Sequence, residues 1–374
     1  MQNPTSNPGS VAASPFRIRL ERRLITPRWV PWVTPVVSII LALVVGAVII
    51  ALQGVNPLEA YRAMFTGAFG SGFGLSETFV KMTPLLLAGL GVSIAFRMQM
   101  WNIGAEGQLW IGAWAAAGVG LFLHPAWNLP AWLTILLMAV AAMLAGGLWG
   151  AVPGALKAFL NVNEIITSLL LTFVAISWVE YFVDILWRDP GGLGFPNTAP
   201  LERSIWLPKI PMLFLPQGHR VHLGLVFGLI AAVVLWFILT RTRWGYEIRA
   251  IGENKVAAAH AGMPVARNIF LVMVLSGALA GLAGMAEMAG VAHRLQRGLS
   301  PGYGFTAIII AWLAKLNPFA IVLVSFLFGG LLVGGDQIQI TMGLPAAISE
   351  IIQGLILFFV LAGDTLSQFR IRFR

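Results

Sequence analysis

The sequence predicts an all-α polytopic membrane protein with about ten membrane-spanning segments, some of them short or broken. Of its 374 residues, 58% are hydrophobic and only 10% are charged, whereas soluble domains carry roughly a quarter charged residues. Several apolar runs reach the ~20 residues that an α-helix needs to cross a bilayer. These runs leave no stretch for a soluble catalytic domain, so we expect a protein that is not an enzyme.

Charge and cysteine content exclude other classes. The net charge is +9, but the cations lie between apolar runs or near the termini, so membrane topology explains them better than nucleic-acid binding does. The chain has no cysteine, and its five histidines are scattered, which argues against disulfides and against a metal site. No phosphate-binding G-x-x-x-x-G-K-[ST] motif is present, so we expect no hydrolysis by this chain itself.

The chain begins with a Ser-, Pro- and Asn-rich stretch followed by arginines, and residues 1–30 are expected to form a disordered, basic, cytoplasmic N-terminus. An apolar run follows over Val33–Leu52. A signal peptide has a core of only about 7–15 apolar residues, so this run predicts an uncleaved first transmembrane helix. We expect residues 31–365 to form one transmembrane domain.

The segments between the spans are assigned from polarity. An outside loop is predicted over 53–78, then a short apolar segment over Pro84–Phe96, then a segment after Arg97 that is polar at first and apolar afterwards. The later predicted segments are Ala131–Val152, Val162–Asp184, Leu223–Thr240, Ile269–Val291, Gly304–Leu316, Phe319–Val333 and Pro345–Gly363. Residues 185–221, rich in Pro and Gly, are expected to form an extracytoplasmic loop, and 334–344 a polar outside turn.

The distribution of cations predicts the orientation. With both termini inside, 16 Lys and Arg residues fall on the cytoplasmic side and 8 outside, as the positive-inside rule requires. Residues 366–374 then form a basic cytoplasmic tail. Five segments per half are compatible with an inverted repeat, although no internal similarity is visible and the short segments Pro84–Phe96 and Gly304–Leu316 do not occupy matching places.

Residues 241–268 form a basic cytoplasmic loop with a short alanine-rich helix in its middle. Gly262 suits the end of that helix, and Pro264 cannot continue it. Such a helix between two spans can dock into a groove on another protein. The sequence leaves an ordinary basic loop open as the alternative.

Polar residues near the membrane are candidates for the transport pathway or a gate, because buried ionisable groups are costly. Asn102, Glu106 and Gln108 lie where a helix starts, and they fit either a gate or a capped helix N-terminus. Asn163 and Glu164 open the next-but-one span in the same way, with capping favoured.

The seventh span carries a more deeply embedded carboxyl. Glu287 could hydrogen-bond across a pore or extend toward Arg294, and Glu350 in the last span is similar. The seventh span also contains a predicted packing stripe of small residues. The stripe consists of Ser276, Gly277, Gly281 and Gly284.

Four motifs in order carry a resemblance to a known family. They are WNIGAEGQLWIGAWAA, NVNEIITSLLLTFVA, YEIRAIGENKVAAAHAGM followed by SGALAGLAGM, and GYGFTAIIIAWLAKLNP. Together they resemble the permease subunit of a bacterial ABC importer, of the branched-chain amino acid and ribose-type superfamily, in its simple-sugar and nucleoside branch. The resemblance covers residues from about 30 to 365.

The resemblance implies a coupling helix that docks on a cytoplasmic ATPase subunit. The docking residues it indicates are Gly252, Asn254, Ala257, Ala258 and Gly262, and we expect Ala258 to face the ATPase groove. This chain would hold no cofactor, because ATP and Mg²⁺ would bind the ATPase. The other implied partners are a second, often non-identical permease, an extracytoplasmic substrate-binding protein and membrane lipid, in a bacterial cytoplasmic membrane.

The implied function is translocation of a nucleoside, or of a simple sugar, by alternating access. An autonomous secondary transporter driven by protons or sodium is the alternative. That alternative needs a titratable residue at the membrane midplane, for which Glu287 and Glu350 are the candidates.

Overall fold

The computed structural model describes residues 18–22, 30–192, 194–212, 215–216, 218–345, 347–367 and 369–373. Helices dominate. They are α1 (Val30–Leu52), α2 (Pro57–Phe69), α3 (Gly72–Arg97), α4 (Ala105–Gly118), α5 (His124–Trp127), α6 (Ala131–Leu160), α7 (Glu164–Tyr181), α8 (Gly224–Arg241), α9 (Arg243–Glu253), α10 (Lys255–His260), α11 (Val265–Glu287), α12 (Tyr303–Leu313), α13 (Pro318–Met342) and α14 (Ala347–Ser367). Single π-helical turns extend α4, α7 and α11, at Val119–Leu123, Phe182–Leu186 and Met288–Ala292.

The polytopic all-α prediction is confirmed. Within the described ranges, nine helices are long and apolar enough to cross a membrane, and the predicted tenth segment is the shorter helix α12. Two of the nine form the centre of the protein, since 89% of the α3 window and 78% of the α11 window are buried. Helices α12 and α13 pack on α3, and α4 and α6 pack on α11.

Small residues allow the central helices to approach closely. A Cβ atom added to Gly277 of α11 would lie 2.3 Å from the carbonyl oxygen of Gly146 in α6, and one added to Gly284 would lie 2.0 Å from the carbonyl oxygen of Leu109 in α4. Backbones in contact at this distance need glycine. The predicted packing stripe of α11 is therefore confirmed.

Two predicted loops are wrong. The predicted outside loop over 53–78 contains α2 and the first turns of α3, with Asn56 and Ser71 as N-caps. The apolar pattern did not predict the start of α3, because this part of the helix carries Glu77 and Lys81. These charges are paired: Arg220 Nε donates to Glu77 Oε1 at 3.0 Å, and Lys81 Nζ lies 3.9 Å from Asp336 Oδ2.

Helix α13 runs through most of the predicted turn over 334–344 and ends at Met342. Gly343 stops it in the left-handed conformation, with φ 66°, which glycine adopts without strain. The polar residues of this stretch therefore extend the helix rather than forming a turn.

In the described part of the predicted long loop over 185–221, there is little regular structure apart from the 3₁₀ turn Arg203–Ile205. This part of the loop is fixed by the segment that follows α11. The Leu201 amide donates to the His293 carbonyl at 2.8 Å and the Thr198 amide to the Leu295 carbonyl at 2.9 Å, while the Trp206 and His293 rings stack with centroids 3.6 Å apart.

Two short segments near the ends of the chain form a two-stranded antiparallel ribbon. Strand β1 (Ile18–Arg22) pairs with β2 (Phe369–Phe373), and Leu20 lies opposite Ile371. Within 1–30, a stretch predicted to be disordered, these five residues form a strand instead; residues 1–17 and 23–29 lie outside the described residues.

Candidate functional site

The helices α4 and α12 both begin after a break in the chain, and their N-terminal ends meet inside the protein. Helix α12 has 11 residues, so it spans about 16 Å, roughly half of a ~30 Å hydrocarbon core. Just beyond its C-terminal end, the Leu316 carbonyl accepts a hydrogen bond from Arg97 Nη2 at 3.5 Å, where α3 ends. The start of α12 therefore lies near mid-depth.

Glu106 joins the two helix starts. The Gly304 amide donates to Glu106 Oε2 at 2.7 Å, and Trp110 Nε1 donates to Glu106 Oε1 at 3.0 Å. A Cβ atom on Gly304 would lie 2.2 Å from the Glu106 nitrogen, so the helices touch backbone to backbone. Because helix N-termini carry partial positive charge, a carboxylate between two of them is stabilised. Glu106 is thus more than a cap of its own helix.

Asn102 and Gln108 hold the irregular backbone before α4. Asn102 Nδ2 donates to Gln108 Oε1 and to Ser276 Oγ, both at 2.8 Å, and Gln108 Nε2 donates back to Asn102 Oδ1 at 3.0 Å. The Gly104 amide donates to Asn102 Oδ1 at 3.1 Å. Non-helical backbone at membrane depth needs such internal partners. Both side chains are fully buried, so they hold the backbone of the site in place rather than facing a solute.

Asn163 and Glu164 lie elsewhere, at the start of α7. Asn163 Oδ1 accepts from the Ile165 amide at 2.9 Å, and Glu164 Oε2 lies 3.0 Å from Lys157 Nζ at the end of α6. A cap and an ion pair account for both residues, which fits the capping interpretation. They fix the α6–α7 turn.

Glu287 is the buried last residue of α11, and it is in electrostatic range of Tyr303, Lys81 and Arg220. Its carboxyl interacts with the hydroxyl of Tyr303, the first residue of α12. Glu287 therefore adjoins the start of α12 but does not belong to the Asn102 network.

A cleft of about 400 Å³ opens beside the start of α12, and α14 forms its other wall. Its polar lining includes Thr306, Glu350 and Gln353. Thr306 Oγ1 donates to Gln353 Oε1 at 2.8 Å, and Phe305 is 38% exposed. Sequence reasoning considered Glu350 singly but missed Gln353, whose i, i+3 spacing from Glu350 in an apolar helix was the available signal.

The predicted coupling segment forms α9 and α10, which are fixed to the transmembrane helices. A Cβ atom on Gly252 would lie 2.0 Å from the Arg97 carbonyl oxygen at the end of α3. Trp244 Nε1 donates to Asn268 Oδ1 at 2.9 Å, and Asn268 Nδ2 donates to Glu247 Oε2 at 2.7 Å. Gly252 therefore packs inward, against the protein itself.

The outward face of α10 differs from the predicted one. Asn254 caps the helix, accepting from the Val256 and Ala257 amides at 3.0 Å each. Ala258 is 4% exposed, so the expectation that Ala258 faces outward is wrong: in a helix whose flanks bind α3 and α11, this position lies on the inner side. The exposed face consists of Val256, Ala257, Ala259 and His260, and Asn254 and Gly262 are also exposed.

The charges around this segment are shared with the α6–α7 turn. Burial lowers the pKa of Lys255, and the nearby Lys157 ammonium lowers it further, while Glu164 opposes the shift. The starts of α7 and α10 are therefore neighbours at one end of the bundle.

A sequence profile of the family described as branched-chain amino acid transport system, permease component, matches residues 74–361. The chain is 39% identical to the glucose ABC transporter permease protein TsgB13 of Haloferax volcanii, over 95% of this chain and 93% of that protein. It is 36% identical to the guanosine ABC transporter permease protein NupP of Bacillus subtilis, over 91% and 94%. A second guanosine permease protein of that organism, NupQ, is 26% identical over 67% and 78%.

Proposed function

Because the chain belongs to the branched-chain amino acid transport permease family, we propose that it is the membrane subunit of an ATP-driven importer for a nucleoside. A simple sugar is the alternative solute. The relatives support both, since one is named for guanosine and another for glucose. ATP and Mg²⁺ would bind a separate ATPase subunit, and an extracytoplasmic binding protein would deliver the solute.

The observation that carries this proposal is the cleft between α12 and α14. Glu350 and Gly354 lie on the exposed face of α14, and a carboxylate on a membrane helix must face water or a protein partner rather than lipid. We therefore assign this face to the translocation pathway, closed on its other side by a second permease. A non-identical partner is supported by the two guanosine permease proteins of one organism.

Helix α12 links this pathway to the coupling segment. Its start lines the cleft, and Leu316 beyond its end contacts Arg97, whose carbonyl oxygen packs on Gly252. A displacement of α9 and α10 by the ATPase would therefore act on α3 and α12 directly. Glu106 keeps the starts of α12 and α4 together during that movement. We place α9, α10 and both termini in the cytoplasm, in agreement with the charge distribution.

The exposed face of α10 gives the docking test. Ala259→Glu should leave membrane insertion unchanged, reduce copurification of the ATPase and abolish uptake, because a bulky charge enters the contact surface. Ala126→Glu is the matched control, since Ala126 is also exposed but lies on the short helix α5 at the opposite end of the bundle. Normal copurification and uptake in Ala259→Glu would remove the docking assignment.

Uptake identifies the class and the solute. Cells receive labelled purine and pyrimidine nucleosides, with sugars as competitors, and the ATPase is intact or disabled at its phosphate-binding lysine. The proposal expects nucleoside uptake that disappears with the disabled ATPase. Uptake that persists and follows the proton gradient would instead identify a secondary carrier, with Glu287 as its first candidate for protonation.

A further inference from the structure

The cleft between α12 and α14 has a distinct pair of polar groups on one wall. The Glu350 side chain is exposed and has no hydrogen-bond or ion-pair partner among the described residues. Gln353, one turn further along α14, is 4% exposed, and Thr306 fixes its amide by donating to Oε1. An uncommitted carboxylate therefore stands beside a positioned carboxamide.

The rest of the cleft is open and partly aromatic. A Cβ atom on Gly354 would meet nothing within 4 Å, so α14 leaves space beside the polar pair. The opposite wall carries the ring of Phe305 together with Pro301 and Gly302. A carboxylate and a carboxamide at i, i+3 spacing on one helix lie about 5–6 Å apart at Cβ, a separation that two neighbouring hydroxyl groups can bridge.

We propose that Glu350 and Gln353 recognise the vicinal diol of the solute as it passes the cleft, while Phe305 contacts its flat face. The carboxylate accepts both hydroxyl hydrogens or shares them with the carboxamide oxygen, and charge-assisted bonds of this kind are the strong ones. This inference rests on the proposed function. The diol is the chemistry shared by a ribonucleoside and a hexose, and the phenyl ring favours the planar base of a nucleoside.

The test uses the complete importer, with its binding protein, second permease and ATPase, in proteoliposomes. Initial uptake rates are measured for guanosine, 2′-deoxyguanosine and glucose in the wild type and in Glu350→Gln. A charge-assisted hydrogen bond contributes about 1.5–3 kcal/mol, so replacing it by a neutral one should slow uptake of the diol solute about tenfold. Uptake of its deoxy analogue should change less than about twofold.

Control variants separate this role from others. Glu59→Gln, on α2, removes an exposed carboxylate outside the cleft and should leave the ratio of guanosine uptake to 2′-deoxyguanosine uptake unchanged. Phe305→Leu should reduce guanosine uptake more than glucose uptake. Equal slowing of a diol solute and its deoxy analogue in Glu350→Gln, or loss of copurifying second permease, would overturn the diol assignment.

Failure of the two proposals is distinguishable. If the wild-type importer shows no ATP-dependent uptake of nucleosides or sugars, the proposed function itself is wrong. If ATP-dependent uptake is present and Glu350→Gln does not change the ratio of the uptake rates of the diol solute and its deoxy analogue, only the recognition by Glu350 is wrong. Glucose uptake that is slowed about tenfold by Glu350→Gln, without nucleoside uptake, would assign the diol to a hexose.

Discussion

The contact between the starts of α4 and α12 can be tested by adding a single methyl group. In Gly304→Ala, the new Cβ atom would lie 2.2 Å from the Glu106 nitrogen and 2.4 Å from its Cα. Both are backbone atoms and cannot rotate away. Ordinary contact begins near 3.4 Å, so α12 must shift by about 1.2 Å, the difference between 3.4 Å and 2.2 Å.

That shift has a calculable cost. The hydrogen bond from the Gly304 amide to Glu106 Oε2 is 2.7 Å long, and moving the donor by more than an ångström breaks it. Losing a bond to a charged acceptor costs about 1.5–3 kcal/mol, and overpacking a core costs about 1–3 kcal/mol. The sum is about 2.5–6 kcal/mol, which is a large part of the stability of an ordinary protein.

The assay is thermal denaturation of the purified protein in detergent, with uptake measured in parallel. The matched control is Gly354→Ala, a helical glycine whose added Cβ atom meets nothing within 4 Å and whose helix propensity gain should raise stability slightly. We expect a clearly lower melting temperature for Gly304→Ala and none of that loss for the control. Equal melting temperatures for Gly304→Ala and the wild type would refute the close approach of α4 and α12.

Three further predictions concern separate parts of the protein. Glu106→Gln keeps the shape of the side chain but leaves one acceptor oxygen for two donors, so the free energy of unfolding should fall by about 1–3 kcal/mol. Uptake should fall at both limiting and saturating solute concentrations, and normal uptake would restrict Glu106 to capping. Gly252→Ala places a Cβ atom 2.0 Å from the Arg97 carbonyl oxygen, so ATP hydrolysis by the assembled importer should continue while uptake falls. Uptake and ATP hydrolysis both at wild-type rates would contradict this. Burial, with His293 and Arg220 nearby, lowers the pKa of His222 to about 4, so the unfolded chain binds more protons than the folded protein between pH 6.5 and 4. Acidification from pH 7 to 5 should therefore lower the free energy of unfolding by about 2 kcal/mol. The His222→Gln variant should show a weaker dependence of the melting temperature on pH.

The fold was predictable where the sequence is uniformly apolar or where a small side chain is required. The span over Val33–Leu52 agrees with the apolar part of α1, and the short segment predicted at Gly304–Leu316 is α12. Asn163 was identified as a cap because Asn before an apolar run satisfies free amides in any context. Such signals depend on neighbours in sequence, so no knowledge of the fold is needed.

Features that depend on distant partners were not predictable. The charges of Glu77 and Lys81 are typical of a loop unless their ion-pair partners are known. Each partner lies more than a hundred residues away along the chain. Ala258 could not be assigned to the inner face of α10 without the positions of α3 and α11. The cleft escaped for the same reason, because Thr306 and Gln353 are joined only in three dimensions.

The starts of α4 and α12 share a local hydrogen-bonding pattern although no similarity between their sequences is visible. Counting spans, α4 and α12 are the third helices of their halves, and both follow a break. Before α4 the Gly104 amide donates to Asn102 Oδ1 at 3.1 Å, and before α12 the Gly302 amide donates to Ser300 Oγ at 3.2 Å. The same turn is thus built from different residues, because Asn and Ser side chains can each accept from the amide two residues on.

The packing partners agree with this correspondence, since α4 packs on α11 and α12 packs on α3, the second helices of the opposite halves. The earlier mismatch between the two short segments came from placing the first one at Pro84–Phe96, inside α3, instead of at the start of α4. Once that boundary is corrected, the two helix starts lie on either side of Glu106. The Glu106 carboxylate therefore joins the third membrane helix of the first half to the third membrane helix of the second half.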